Sequence, residues 1–195
     1  MAVTVETLPA SRIGGAIDAL AALRIAVFRE WPYLYDGDLV YERGYLAAFA
    51  AAPHAVLVVA RDGDTIVGAA TASPLAAQKA EFLAPFVAQG WDVGRSFYFG
   101  ESVLLPGYRG RGIGHAFFDH RETAARAAGA SVATFCAVQR PADHPLHPPE
   151  YRPLDAFWMQ RGYAKVEGMT TSLDWLDVGE AHETAHSMQF WARNL

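Results

Sequence analysis

The 195 residues are 52% hydrophobic and 19% charged, with a formal net charge of -5, enough apolar mass for one domain to bury roughly 70% of its unfolded surface without metals or disulfides. A single cysteine, Cys136, excludes an intrachain disulfide and a cysteine cage for a metal, and suits a reducing compartment. With 16 Lys and Arg against 21 Asp and Glu, there is no broad positive field for a nucleic acid or an anionic bilayer, so any phosphate chemistry has to be local.

The opening MAVTVETLPASR lacks the basic flank and apolar run of a secretory signal. The most lipophilic stretch, residues 45–60, is broken by Pro53 and His54 and falls short of the roughly 20 apolar residues that span a bilayer. The expectation is a cytoplasmic domain with neither nucleic acid nor membrane among its partners.

Residues 4–8 alternate weakly and read as a first strand. Ile17, Leu20, Leu23, Ile25, Val27 and Phe28 then fall at near-helical spacing, in a helix that stops before Pro32. A second helix is expected over residues 39–52, where Leu39, Glu42, Arg43, Leu46 and Phe49 keep a helical period up to Pro53. The loop between them, 31–38, is aromatic and acidic. AVLVVA at 55–60 and TIVGAAT at 65–71 flank an Asp-Gly pair, which predicts an antiparallel hairpin. Residues 75–89 look helical but contain Pro85, so a broken or two-part helix is expected. RSFYFGESVLL, 95–105, is a strand running into PGYRGRGIG, 106–114, and then an alanine-rich helix, 115–128, ended by Gly129. A strand at 131–138, a proline- and histidine-rich loop at 139–153, a helix at 154–161 and a strand at 170–176 follow, and 187–195 closes the chain as strand or helix. This is one mixed α/β domain over residues 1–195.

The strongest chemical signal is Tyr108-Arg109-Gly110-Arg111-Gly112-Ile113-Gly114, between a strand and a helix. Glycines let main-chain N–H groups approach a ligand, the start of the helix adds partial positive charge through Ile113, Gly114 and His115, and two arginines can each bind oxygen pairs. Phosphate is the natural guest. No lysine follows these glycines, so the loop is not a Walker motif, and G-x-G-x-x-G is missed because His115 stands at its third place.

What fits is R-x-x-G-x-G, read as Arg109, Gly112 and Gly114, preceded by Glu-Ser-Val-Leu-Leu. Here the chain resembles the GNAT superfamily of N-acetyltransferases, whose pyrophosphate loop for acetyl-coenzyme A has this form. The order of elements from about residue 3 to 195 agrees, and Gln160-Arg161-Gly162-Tyr163 is similar to the family's usual end of its fourth helix. The resemblance implies a central twisted sheet flanked by helices, acetyl-CoA as cosubstrate without a metal, and transfer to a primary amine of a small molecule or a peptide. It is compatible with a homodimer and requires none.

Attack by an alkylamine needs a proton removed, since its pKa near 10.4 keeps it charged at neutral pH. Glu101 is the candidate base: strand alternation puts it on the face of Phe97, Phe99 and Val103, opposite Tyr98, Gly100 and Ser102, and family members often carry a basic glutamate on this strand. Main-chain groups of Val103, Leu104 and Leu105 are expected to pair with pantetheine as an added strand. Where the family often has a proton-donating tyrosine on its fourth helix, this chain has Trp158, whose indole N–H donates a hydrogen bond but is no useful acid. The resemblance places the acceptor beside the loop between the two early helices, where Asp36 and Asp38 can attract a cation and Trp31, Tyr33 and Tyr35 can pack its body.

Two other readings compete. A coenzyme A binding module without catalysis would keep the loop and dispense with the base. His182-Glu183-Thr184-Ala185-His186 matches H-E-x-x-H, a zinc peptidase motif on a helix, but SMQFWARNL after it offers no third ligand.

Overall fold

The computed structural model describes residues 2–195. In chain order it contains β1 (Thr4–Leu8), α1 (Ala10–Ile13), α2 (Ile17–Phe28), α3 (Leu39–Ala51), β2 (Val56–Asp62), β3 (Thr65–Pro74), α4 (Ala80–Ala88), β4 (Ser96–Leu104), α5 (Ile113–Ala127), β5 (Val132–Val138), α6 (Asp155–Gln160), β6 (Ala164–Trp175) and β7 (Thr184–Asn194). The expected hairpin is β2–β3. The interrupted helix is a 3-10 turn at Leu75–Ala77 followed by α4 with Pro85 inside it. The chain closes as a strand. No helix among the described residues is long and apolar enough to cross a membrane.

The seven strands form one sheet in the order β1-β2-β3-β4-β5-β7-β6. Apolar residues cover both faces. On one, α2 and α3 pack Leu20, Ala21, Leu23 and Leu46 against Leu57, Val59, Ala69 and Val103. On the other, α5 presents Ile113, Phe117, Phe118 and Ala125, a stripe at helical spacing, to Phe97, Phe99 and the strands around them. Each buried aromatic or aliphatic side chain contributes about 1.5–3 kcal/mol on leaving water, and this double layer fixes the positions of β4 and β5.

β4 and β5 are the sheet's parallel pair, and their register has three partners: Ser96↔Val132, Phe97↔Ala133 and Tyr98↔Thr134. Beyond Tyr98, β4 continues along β3 to Leu104, while β5 continues along β7 to Val138. The two central strands therefore part, and the sheet opens into a wedge toward their C-terminal ends.

One strand-face expectation is corrected. Between β3 and β4 the register passes from Ala70↔Ser102 to Ala72↔Phe99, so Gly100 and Glu101 together oppose Thr71 in a β-bulge. The extra residue reverses the alternation. Phe97 and Phe99 lie on the α5 face, whereas Val103 packs with α2, and Glu101 reaches Arg24 of that helix. Glu101 therefore does not share a face with Phe97 and Phe99. Gly100 permits the bulge because a Cβ there would stand 2.5 Å from the Thr71 hydroxyl, which meets the Glu101 N–H at 3.2 Å.

Candidate active site

The glycine loop lies at the open end of the wedge. Pro106–Tyr108 makes one 3-10 turn, Gly110 and Gly112 take φ of 75° and 80°, and α5 begins at Ile113. These left-handed conformations suit glycine, and no atom lies within 4 Å of where a Cβ would sit at either position. The first helical bond in the region is Ala116 N–H to Gly112 O. Among the described residues, none accepts from the main-chain N–H groups of residues 110–115. Six donors at the positive end of a 15-residue helix are thus left without an acceptor among the described residues.

The two loop arginines differ. Arg109 donates from Nε to Leu104 O at 3.1 Å and from Nη1 to Glu30 at 2.9 Å. Arg111 lies over the Tyr108 ring at 5.3 Å and has no ion-pair partner among the described residues. Tyr108 in turn donates to Asp62 at 2.9 Å. The His115 ring packs on Phe157 at 4.8 Å. Unused N–H groups, a free guanidinium and bare backbone at Gly110 and Gly112 fit a diphosphate.

Of the three strand-end residues expected to face pantetheine, Leu105 spends its N–H on Val67 O at 3.0 Å. Since alternate residues of a strand turn their main chain to opposite edges, Val103 also faces β3, and Leu104 faces the wedge. The Val103 side chain is buried.

Glu101 is buried at 8% exposure, with Oε1 3.0 Å from Arg24 Nη1 on α2. Arg24 also donates from Nε to Glu42 of α3, which is fully buried. Burial alone would lower the Arg24 pKa, but Glu101 and then Glu42 hold it above the usual arginine value. Sequence reasoning missed Arg24 and Glu42. The signal was available: Leu20, Arg24 and Phe28 share one face of α2, and Glu42 and Leu46 one face of α3, so each charge interrupts an apolar stripe. The half-exposed Tyr45 lies against Arg24 at 4.6 Å, and its phenol is held protonated chiefly by the charge of Glu101.

On the side where the sequence resemblance places the acceptor, two loops meet. Trp31 packs edge-on or tilted against His144, His147 and Tyr151 at 4.9–6.0 Å. Tyr33 packs on Phe28 at 4.6 Å and Trp175 at 5.8 Å. Arg140 ties this loop down, donating to Pro32 O at 2.9 Å and Tyr33 O at 2.6 Å while pairing with both oxygens of Asp177 at 2.6 and 2.7 Å. A single β-bridge joins Tyr35 to Asp177. Asp38 caps α3 by accepting from Val40 and Tyr41 N–H at 2.9 Å, and Asp36 is paired with Arg29. Asp36 thus shares its charge with Arg29, and Asp38 spends Oδ1 on the cap while its Oδ2 takes no partner among the described residues.

Cys136 lies 3.3 Å from the Tyr98 hydroxyl, and burial pushes its thiol up to about 11, so it is protonated at neutral pH and a poor nucleophile. Trp158 packs on Phe135 at 5.0 Å and Trp191 at 5.1 Å as part of the core. The H-E-x-x-H segment is extended: β7 starts at Thr184, His182 is exposed, and His186 is buried against Trp175 at 3.8 Å. The helical turn that would bring both histidines to one metal is not formed.

A central sheet splayed at its parallel pair, with an anion cradle at the mouth, is an acetyltransferase architecture. The acetyltransferase (GNAT) family model matches residues 20–148, and the chain belongs to that family. A search of curated proteins finds no match. Solved structures with the same fold include the ribosomal-protein-alanine N-acetyltransferase from Brucella melitensis, at 15% identity over 98% of this chain and 99% of that one, TM-score 0.63. An aminoglycoside 6'-N-acetyltransferase complexed with coenzyme A matches at 16% identity over 98% and 96%, TM-score 0.62. The Salmonella typhimurium protein yncA with its cofactor acetyl-CoA matches at 13% identity over 100% and 95%, TM-score 0.58.

Proposed function

We propose that the protein moves an acetyl group from acetyl-CoA to a primary amine by direct attack in a ternary complex, in the cytoplasm. The observation that carries this reading is the set of unpartnered N–H groups at residues 110–115, at the mouth of the wedge between β4 and β5. Acetyl-CoA supplies the activated acyl group as a thioester.

Everything else falls to this chain. The N–H groups of residues 110–115 and the Arg111 guanidinium hold the diphosphate. Leu104 offers its main chain to the pantetheine arm in the manner of an added strand. Glu101 takes a proton from the bound ammonium: an N–H bond breaks, its electron pair stays on nitrogen, and the proton goes to the carboxylate. Trp31, Tyr33 and Tyr151 wall off the acceptor from water. Trp158 is committed to the core, and no side chain is needed for the departing sulfur, since a thiol with a cysteine-like pKa near 8.5 leaves tolerably as thiolate.

The test is thiol release from acetyl-CoA against a panel of alkylamines and peptide amines. Release that depends on the amine is expected. Tight cofactor binding with no release from any acceptor would reduce the protein to a coenzyme A binding module.

A further inference from the structure

Arg24 and Glu42 are charged groups with almost no contact with water, at 9% and 0% exposure, in a core otherwise made of Leu20, Leu23, Leu46 and their neighbours. A buried ion pair gives little stability over apolar residues of the same size, so stability does not account for it. What it offers is geometry. The guanidinium is planar, its fork engages Glu42 through Nε, its Nη1 stands 3.0 Å from Glu101 Oε1, and Phe28 at 5.1 Å and Tyr45 at 4.6 Å lie against it. Such a group cannot rotate without breaking several contacts.

Glu101 sits on the bulge of β4, where strand geometry alone does not fix a side chain's direction. Its Oε1 is shut off from solvent and has no properly aligned donor despite the nearby Nη1. Its Oε2 makes no hydrogen bond within the chain and is not among the buried unpartnered atoms, so solvent reaches it. The groups around Glu101 are Arg24 from α2, Glu42 and Tyr45 from α3, Tyr33 from the acceptor loop and, more distantly, Arg121 from α5. Two carboxylates share the one guanidinium paired with them, so an ammonium ion arriving at Oε2 meets negative charge that Arg24 only partly offsets.

We propose that Arg24 and Glu42 are positioning residues: Glu42 holds Arg24, Arg24 holds Oε1 of Glu101, and Oε2 is thereby turned to the acceptor as the point where its ammonium group docks. The inference rests on the reading of Glu101 as the base, and a double-mutant cycle separates the two. The variants are Glu101→Gln, Arg24→Lys, Glu42→Gln, and each of the last two combined with Glu101→Gln. The readouts are kcat and KM for the amine at saturating acetyl-CoA, acetyl-CoA affinity, and melting temperature.

Glu101→Gln is expected to lose about 100-fold or more in turnover. Arg24→Lys, which keeps the charge but not the fork, and Glu42→Gln are each expected to lose about 10- to 100-fold with acetyl-CoA affinity unchanged. Neither should cost more than about threefold in the Glu101→Gln background, because their effect passes through Glu101. Losses that multiply would overturn the positioning role and leave the base standing. Wild-type turnover of Glu101→Gln would overturn both. Should Arg24→Lys fail to fold, the Glu42→Gln cycle decides in the same way.

Discussion

Arg109 and Arg111 stand two residues apart in one loop, yet they differ in what they can give a ligand. Arg109 already satisfies Glu30 and the Leu104 carbonyl, whereas Arg111 is held only by the face of Tyr108. Arg111→Ala is therefore expected to weaken acetyl-CoA by about tenfold, roughly 1.4 kcal/mol, the scale of one charge-assisted contact. Glu30→Gln should tighten it about two- to threefold by releasing Arg109, since an exposed pair is worth ~0.2–1 kcal/mol. Isothermal titration measures both, and weaker binding by Glu30→Gln would reject this division of roles. The loop was legible because glycine spacing and arginine chemistry are local. Asp38 was not, because a carboxylate before a helix reads equally as a cap or a ligand until its Oδ1 is seen to accept from Val40 and Tyr41. Arg24 and Glu42 were hidden by the habit of placing charges outside.

At the scale of elements, the contact between the 31–38 loop and the β6–β7 connection depends on Arg140 and Asp177, whose side chains are 7% and 12% exposed. Removing one partner leaves the other charge uncompensated, so Arg140→Met is expected to cost about 3–5 kcal/mol and to raise the acceptor KM. Chemical denaturation and steady-state kinetics check this, and a loss below about 1 kcal/mol would contradict it. The same cluster sets a pH dependence. His186 is held below the usual imidazole pKa by burial, with Arg140 acting the same way against the pull of Asp177. Burial would raise Asp177, but Arg140 and His186 bring it below the carboxylate value. In both cases the folded state binds fewer protons than the unfolded one. The His186 contribution is complete above about pH 6.5 and is lost as pH falls through its folded value; that of Asp177 is lost only well below about pH 4. The melting temperature is thus expected to fall from pH 7.5 to 5, and His186→Gln to flatten that fall. An equal slope in the variant would show that other groups set it. Elements were largely legible from proline, glycine and hydrophobic period, and the hairpin and β4 lie where the pattern put them. The bulge was missed although Gly100, a glycine inside a strand, was its mark.

For the whole molecule, the ligand and the sheet are coupled, because the cradle and the wedge both end on β4. Acetyl-CoA at 100 times its dissociation constant is expected to add about 2.7 kcal/mol and raise the melting temperature by about 5–10 °C. Gly112→Ala, strained at φ 80° by about 1 kcal/mol, should lower the melting temperature of the free protein, and its Cβ, standing in the open space of the cradle, should cut the rise that acetyl-CoA gives. A rise undiminished in Gly112→Ala would move the diphosphate elsewhere. Sequence order alone indicated a mixed sheet with helices on it. The loop alone singles out Trp31, Tyr33 and Tyr35, but the contacts were not legible, since Trp31 meets His147 and Tyr33 meets Trp175 across more than a hundred residues of chain.

β1 to β4 precede the glycine loop and β5 to β7 follow α5; within the sheet three residue pairs join the two groups of strands, while Phe97, Phe99, Phe118 and Phe135 form one core across the join. Side-chain packing therefore holds the strands together where the ladder between them stops. A guest lodged between the diverging strand ends can thus take up main chain that the ladder leaves unused without parting the aromatic layer beneath it.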